Sequence, residues 1–178
     1  VCFSTRSPSE QMTFRTACAG EVEFRCIVGF DEFRDAVRGY RNKVLEIEDN
    51  KGTLRVGEKS LLPMSGVEWR SFQEGEHCSV SELPKDFVAL FVAASPLVDR
   101  NNPRKVLQGI NLCREGITTT NGKELLNIYV PLNVDDFTIP LPLALMQTKT
   151  TESGTLCTWT DRTGKRCRIE TEHWVWYA

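Results

Sequence analysis

The chain has 178 residues, 40% hydrophobic and 26% charged, enough for one substantial core and short for two. Its 22 Lys and Arg against 24 Asp and Glu give a formal net charge of −2, which excludes a globally basic surface and makes any nucleic-acid contact local. No run of about 18 apolar residues occurs, excluding a helical membrane span, and the polar N-terminal stretch lacks the apolar centre of a secretory signal.

Residues 1–12 read as a flexible N-terminal arm and residues 13–178 as a single β-rich domain. Thr13–Ala17 and Glu21–Val28 read as strands about Gly20; in the second, Val22, Phe24, Cys26 and Val28 alternate with charged residues. Asp31 caps a predicted helix over 31–41, with Phe33, Val37 and Tyr40 at helical spacing. Lys43–Glu48 and Thr53–Val56 form a predicted hairpin whose Asn50 and Gly52 suit left-handed turn positions.

Residues 57–84 read as a long loop excursion around a short strand at Val67–Phe72. Asp86–Ala93 is apolar on both faces and bounded by Pro84 and Pro96, which predicts a central buried strand. Lys105–Arg114 returns as a strand, and Thr118–Thr120 and Glu124–Val130 flank Asn121–Gly122, a strong hairpin signal. In 137–146, Ile139, Leu141, Leu143 and Leu145 alternate with Pro140 and Pro142, which remove backbone donors from one side and predict an edge strand. A last hairpin joins Thr155–Thr160 to Arg166–Tyr177.

Nine or ten short strands at this spacing predict a mainly β fold: an antiparallel β-sandwich or jelly-roll-like barrel with one short helix at 31–41. A twisted mixed sheet backed by that helix is the alternative.

Chemistry-bearing groups are sparse. The two histidines, His77 and His173, lie in no metal-ligand spacing, and the glycines form no phosphate-binding loop, so neither a metal nor a cofactor is expected. An enzyme, if there is one, would be a cysteine hydrolase with Cys78 as nucleophile and His77 or His173 as base. Seven cysteines and the absence of an Asn-x-Ser/Thr sequon favour a reducing, cytoplasmic compartment. Cys157 and Cys167 are placed by the last hairpin on one face in diagonal register, where they can pair.

Arg162, Lys165, Arg166 and Arg168 crowd the last hairpin beside Trp159, a pattern suited to phosphate contact and base stacking. The competing reading is an internal ladder with Glu170 and Glu172. A second basic turn, Arg100–Lys105, extends that surface if it lies at the same end. Pro140 and Pro142 on the edge strand, with Trp174, Trp176 and Tyr177, are candidate interface residues.

At the level of architecture this is similar to the β scaffolds of viral capsid, matrix and movement-type proteins. The expected function is a non-enzymatic protein that self-associates or binds a macromolecular partner, in the host-cell cytoplasm or virion. A nucleic-acid-binding module using hairpin 159–168 is the alternative, and the cysteine hydrolase the third reading.

Overall fold

The computed structural model describes residues 2–6, 11–18, 20, 25–40, 44–50, 52–68 and 78–178. Among them the chain is mainly β, with strands in sheets of six, four and three and a few short helices. It divides into two compact units, Val1–Ala17 with Phe72–Ala178, and Cys18–Ser71, where a single domain was expected.

The first strands, β1 (Cys2–Arg6) and β2 (Gln11–Arg15), pair antiparallel with Cys2 opposite Arg15 and Arg6 opposite Gln11. The expected arm is therefore largely sheet. Cys2–Arg6 is polar and barely buried, so its order comes from ladder hydrogen bonds, which leave no hydrophobic periodicity to read.

In the smaller unit, α1 (Phe30–Val37) carries Asp31 and Glu32 in its first turn, where they complement the helix dipole, and the Arg38 N–H caps its end on the Arg34 carbonyl. The helix forms where predicted but stops short of residue 41. The predicted hairpin is β3 (Ile47–Asp49) against β4 (Leu54–Val56), with Gly52 at φ +86°. A third strand, β5 (Lys59–Leu61), occupies the start of the expected loop excursion. Ala36, Leu54, Val56 and Leu61 form this unit's core. Of the strand expected at 21–28, residues 21–24 lie outside the described residues and 25–28 are not strand; 69–72 of the strand expected at 67–72 also lie outside them.

The larger unit resumes with β6 (Ser79–Leu83), α2 (Phe87–Ala94), β7 (Gly109–Cys113), β8 (Gly116–Thr120), β9 (Leu125–Tyr129), β10 (Phe137–Pro140), α3 (Leu143–Gln147), β11 (Gly154–Asp161), β12 (Gly164–Glu170) and β13 (Trp174–Tyr177). One sheet runs β1-β2-β13-β12-β11-β6 and the other β10-β7-β8-β9. Met12, Leu156, Ile169 and Trp176 share the inner face of the first sheet and join Ile110, Leu112, Ile117 and Ile139 of the second in one core.

The strand expected at 86–93 is α2. An apolar run of this length has no periodicity to separate buried strand from buried helix. Phe87, Val88, Phe91 and Ala94 recur on one side of the helix and bury there, and Phe87 meets Phe91 edge to face at 5.5 Å between ring centroids. The edge strand expected at 137–146 is strand only to Pro140; Pro142 then stands at the N-cap of α3, and the Met146 N–H bonds to its carbonyl at 2.9 Å. Residues 105–107 form a 3-10 turn before β7, and a turn at 171–173 splits the last expected strand into β12 and β13. With helices at those two places and strands in three sheets, the jelly-roll expectation is not met.

Candidate functional site

Cross-strand register fixes what the basic hairpin can do. Trp159 stands opposite Arg166, and Cys157 opposite Arg168, on the face of the six-stranded sheet turned away from the core. The Arg166 guanidinium donates to Asp161 Oδ2 at 3.3 Å and to Thr163 Oγ1 at 2.7 Å. Glu170 takes Arg168 on one carboxylate oxygen at 3.2 Å and Arg15 of β2 on the other at 2.6 Å. Trp159 is 4% exposed, so its ring is not presented for base stacking. Lys165 lies over the Phe137 ring at 5.4 Å, and Arg162 projects from the turn. Hydrogen bonds from Thr163 and ion pairing with Arg166 hold the Asp161 carboxyl below its ordinary range, so the turn keeps its own anion.

Cys157 and Cys167 are not bonded to each other. Cys157 faces Arg168 and Cys167 faces Thr158, so the two thiols point to opposite sides of the sheet; the register is one residue away from the expected diagonal.

Of the interface candidates, Trp176 is fully buried in the core and Pro142 is buried at the start of α3, so neither anchors a partner. Pro140 is exposed at the end of β10, an outer strand of its sheet, and Trp174 and Tyr177 are half-buried. Phe14 packs on Trp174 at 4.6 Å between ring centroids.

Of the hydrolase candidates, His77 lies outside the described residues, and Cys78 is exposed just before β6. His173, in the turn between β12 and β13, gives its Nδ1 hydrogen bond to Glu152 Oε1 at 2.9 Å, while its backbone N–H reaches Oε2 at 3.3 Å. Burial pushes the Glu152 carboxyl up, but hydrogen bonds from Thr171, His173 and Thr150 outweigh it and hold the group below its ordinary range. This pair ties a loop to a turn. No described group of three His, Cys, Asp or Glu side chains has metal-binding geometry.

The second basic turn proves the more open site. The Asp99 N–H bonds to the Leu107 carbonyl at 3.0 Å and closes the loop 99–107. Inside it, Asp99 accepts from the Asn101 N–H at 3.2 Å and from Asn102 Nδ2 at 3.0 Å, and Asn102 Oδ1 accepts from the Arg104 N–H at 3.0 Å. Arg100, Arg104 and Lys105 are left pointing outwards and exposed. Leu107 lies under Gly122, which brings the exposed Lys123 of the β8–β9 turn alongside. The loop's basic residues are visible in sequence; that Lys123 joins them is not, because it depends on how β7 and β8 pair.

No protein-family model and no curated protein matches the chain. Solved structures do. The chain is similar to a DNA polymerase sliding clamp from Pseudomonas aeruginosa at 15% identity and TM-score 0.76, covering 99% of this chain and 53% of that one. It is similar to the Helicobacter pylori beta clamp bound to a DNA ligase peptide at 14% identity and TM-score 0.72, covering 98% and 52%. A putative DNA polymerase III beta subunit from Eubacterium rectale follows at 11% identity and TM-score 0.64, covering 99% and 53%. At these identities the likeness is one of fold, and the chain spans about half the length of the clamps it matches. It overturns the viral capsid, matrix or movement-type reading, together with the virion location: the architecture that suggested it is that of sliding clamps.

Proposed function

We propose that this chain is a clamp-like protein that holds DNA and offers a base to partner proteins, with no catalysis of its own. The observation that carries this is the likeness to sliding clamps, which extends over 98% or more of the chain at TM-scores above 0.7. One of those clamps is seen with a DNA ligase peptide, which supports peptide segments of DNA-working enzymes as partners. A DNA-containing, reducing compartment such as the cytoplasm is the setting this function needs.

Half a clamp's length does not by itself surround a duplex. Further copies or further chain are required, and sheet edges are the natural place to add them, because outer strands carry unpaired backbone groups. Among the described residues of the larger unit β1, β6, β9 and β10 are the outer strands, and β9 exposes Leu125 and Tyr129. Self-association is thus part of this reading. The net charge of −2 suits a protein that is retained on DNA by geometry with only local contact.

The test is light scattering over a range of protein concentrations, paired with binding to a labelled duplex DNA over a salt series. Multiples of the 20.2 kDa chain mass and DNA binding that weakens with salt support the proposal. A monomer at every concentration that leaves DNA unbound at low salt overturns it.

A further inference from the structure

We infer that the surface of this chain that meets DNA phosphates is the pair of adjacent turns at 99–107 and 121–124, with Arg100, Arg104, Lys105 and Lys123 as the contacting cations. This rests on the DNA-holding function proposed above and names the residues that perform it.

Charge availability selects this place. Helix α2, Phe-Val-Ala-Leu-Phe-Val-Ala-Ala, has no charged side chain, and α1 sets Asp31, Glu32 and Asp35 against Arg34. Neither helix supplies net positive charge. On the six-stranded sheet Arg15, Arg166 and Arg168 are each engaged by a carboxylate, and Glu82 and Glu172 are exposed near them. Arg100, Arg104, Lys105 and Lys123 are exposed and not ion-paired among the described residues.

Their scaffold is ordered before any ligand arrives. Asp99 and Asn102 use their side chains on the loop's own N–H groups, and Gln108 Nε2 donates to the Asn102 carbonyl at 2.6 Å. In the neighbouring turn Asn121 Oδ1 accepts the N–H groups of Lys123 and Glu124, both at 2.9 Å. Asp99, Asn102 and Asn121 spend their side chains within the two turns, and the exposed Glu124 accepts from Asn121 Nδ2 at 3.3 Å, so the four cations outnumber the acidic groups facing outwards and binding orders only long side chains, not a loop. Four cations on two braced turns, without an exposed aromatic among them, match a phosphodiester backbone, which is held by charge and read without sequence. That is the contact a protein needs if it is to move along DNA.

The experiment measures binding of a short fluorescein-labelled DNA duplex over a salt series for the whole chain, two double variants and one triple variant. In Arg104→Gln/Lys105→Gln the slope of log K against log salt should fall in magnitude by about 0.9 per lost phosphate contact, and adding Lys123→Gln should lower it again. Arg162→Gln/Lys165→Gln, on the basic hairpin, should leave it unchanged. Matching circular dichroism and melting temperatures establish that the variants are folded. If the wild type binds and the 104/105 variant keeps the full slope, or the hairpin variant loses it instead, the inference is wrong and the clamp-like function stands. If the wild type does not bind DNA at all, both fall.

Discussion

The buried hydroxyl of Thr119, on β8, donates to the Ala94 carbonyl at the end of α2 at 3.1 Å. This bond fixes where the chain leaves the helix, and hence where the loop 99–107 begins relative to the β8–β9 turn. Replacing Thr119 by Val keeps the side-chain shape and removes the carbonyl's donor. Leaving a buried acceptor unpaired costs about 1–3 kcal/mol, so Thr119→Val should lower the denaturation midpoint in urea by a corresponding amount. An unchanged midpoint would show that another donor replaces the hydroxyl.

Gly116 marks a second constraint on the same sheet. Its φ is +142°, and a Cβ there would collide with the Ile128 carbonyl of β9. Gly116→Ala combines a backbone conformation costing about 1–3 kcal/mol for a non-glycine residue with displacement of the strand that pairs with β8. The variant should melt well below the wild type and lose protection of the β9 amides in hydrogen exchange; wild-type protection of Leu125–Tyr129 would contradict this.

The Glu152–His173 tie has a definite pH signature. Glu152 titrates lower in the folded chain than in the unfolded one, so its contribution is complete above the unfolded value and is lost as pH falls through the folded value. Wild type should therefore exceed Glu152→Gln in stability near neutral pH, and the gap should close in acid below the usual carboxylate range. Urea unfolding of both proteins across that range checks the sign; a gap that widens in acid would reverse it.

Exposed thiols separate the clamp-like function from a thiol enzyme. Cys2, Cys18, Cys26 and Cys78 are exposed, whereas Cys157 and Cys167 are 1% exposed. Alkylation of the native protein should leave Cys157 and Cys167 unlabelled until unfolding, and Cys78 should react no faster than the other exposed cysteines. An alkylation rate at Cys78 far above theirs would favour an activated nucleophile.

Local signals carried much of the fold into the sequence. The Asn121–Gly122 turn, with Gly122 at φ +88°, lies between β8 and β9 as its dipeptide requires, and α1 follows the spacing of Phe33 and Val37. What could not be read locally was decided by tertiary packing. Phe87–Ala94 is apolar enough for either strand or helix, and Cys2–Arg6 became a strand only because β2 lies beside it. For the site, Arg100, Arg104 and Lys105 stand out in sequence. The hairpin cations look equally available there, and only the register that sets Asp161 and Glu170 beside them shows that Arg166 and Arg168 are engaged. Sheet pairing, not composition, separates the open cations from the occupied ones.

Enclosure of DNA by a clamp-like assembly, as proposed above, predicts retention that depends on the topology of the DNA and not on phosphate contact. It is tested most directly by loading the protein at low salt onto matched circular and linear duplexes, raising the salt to dissolve phosphate contacts, and measuring the protein retained on each. Retention on the circle with loss from the linear duplex is the predicted result. Equal loss from both would contradict enclosure and leave only a surface contact.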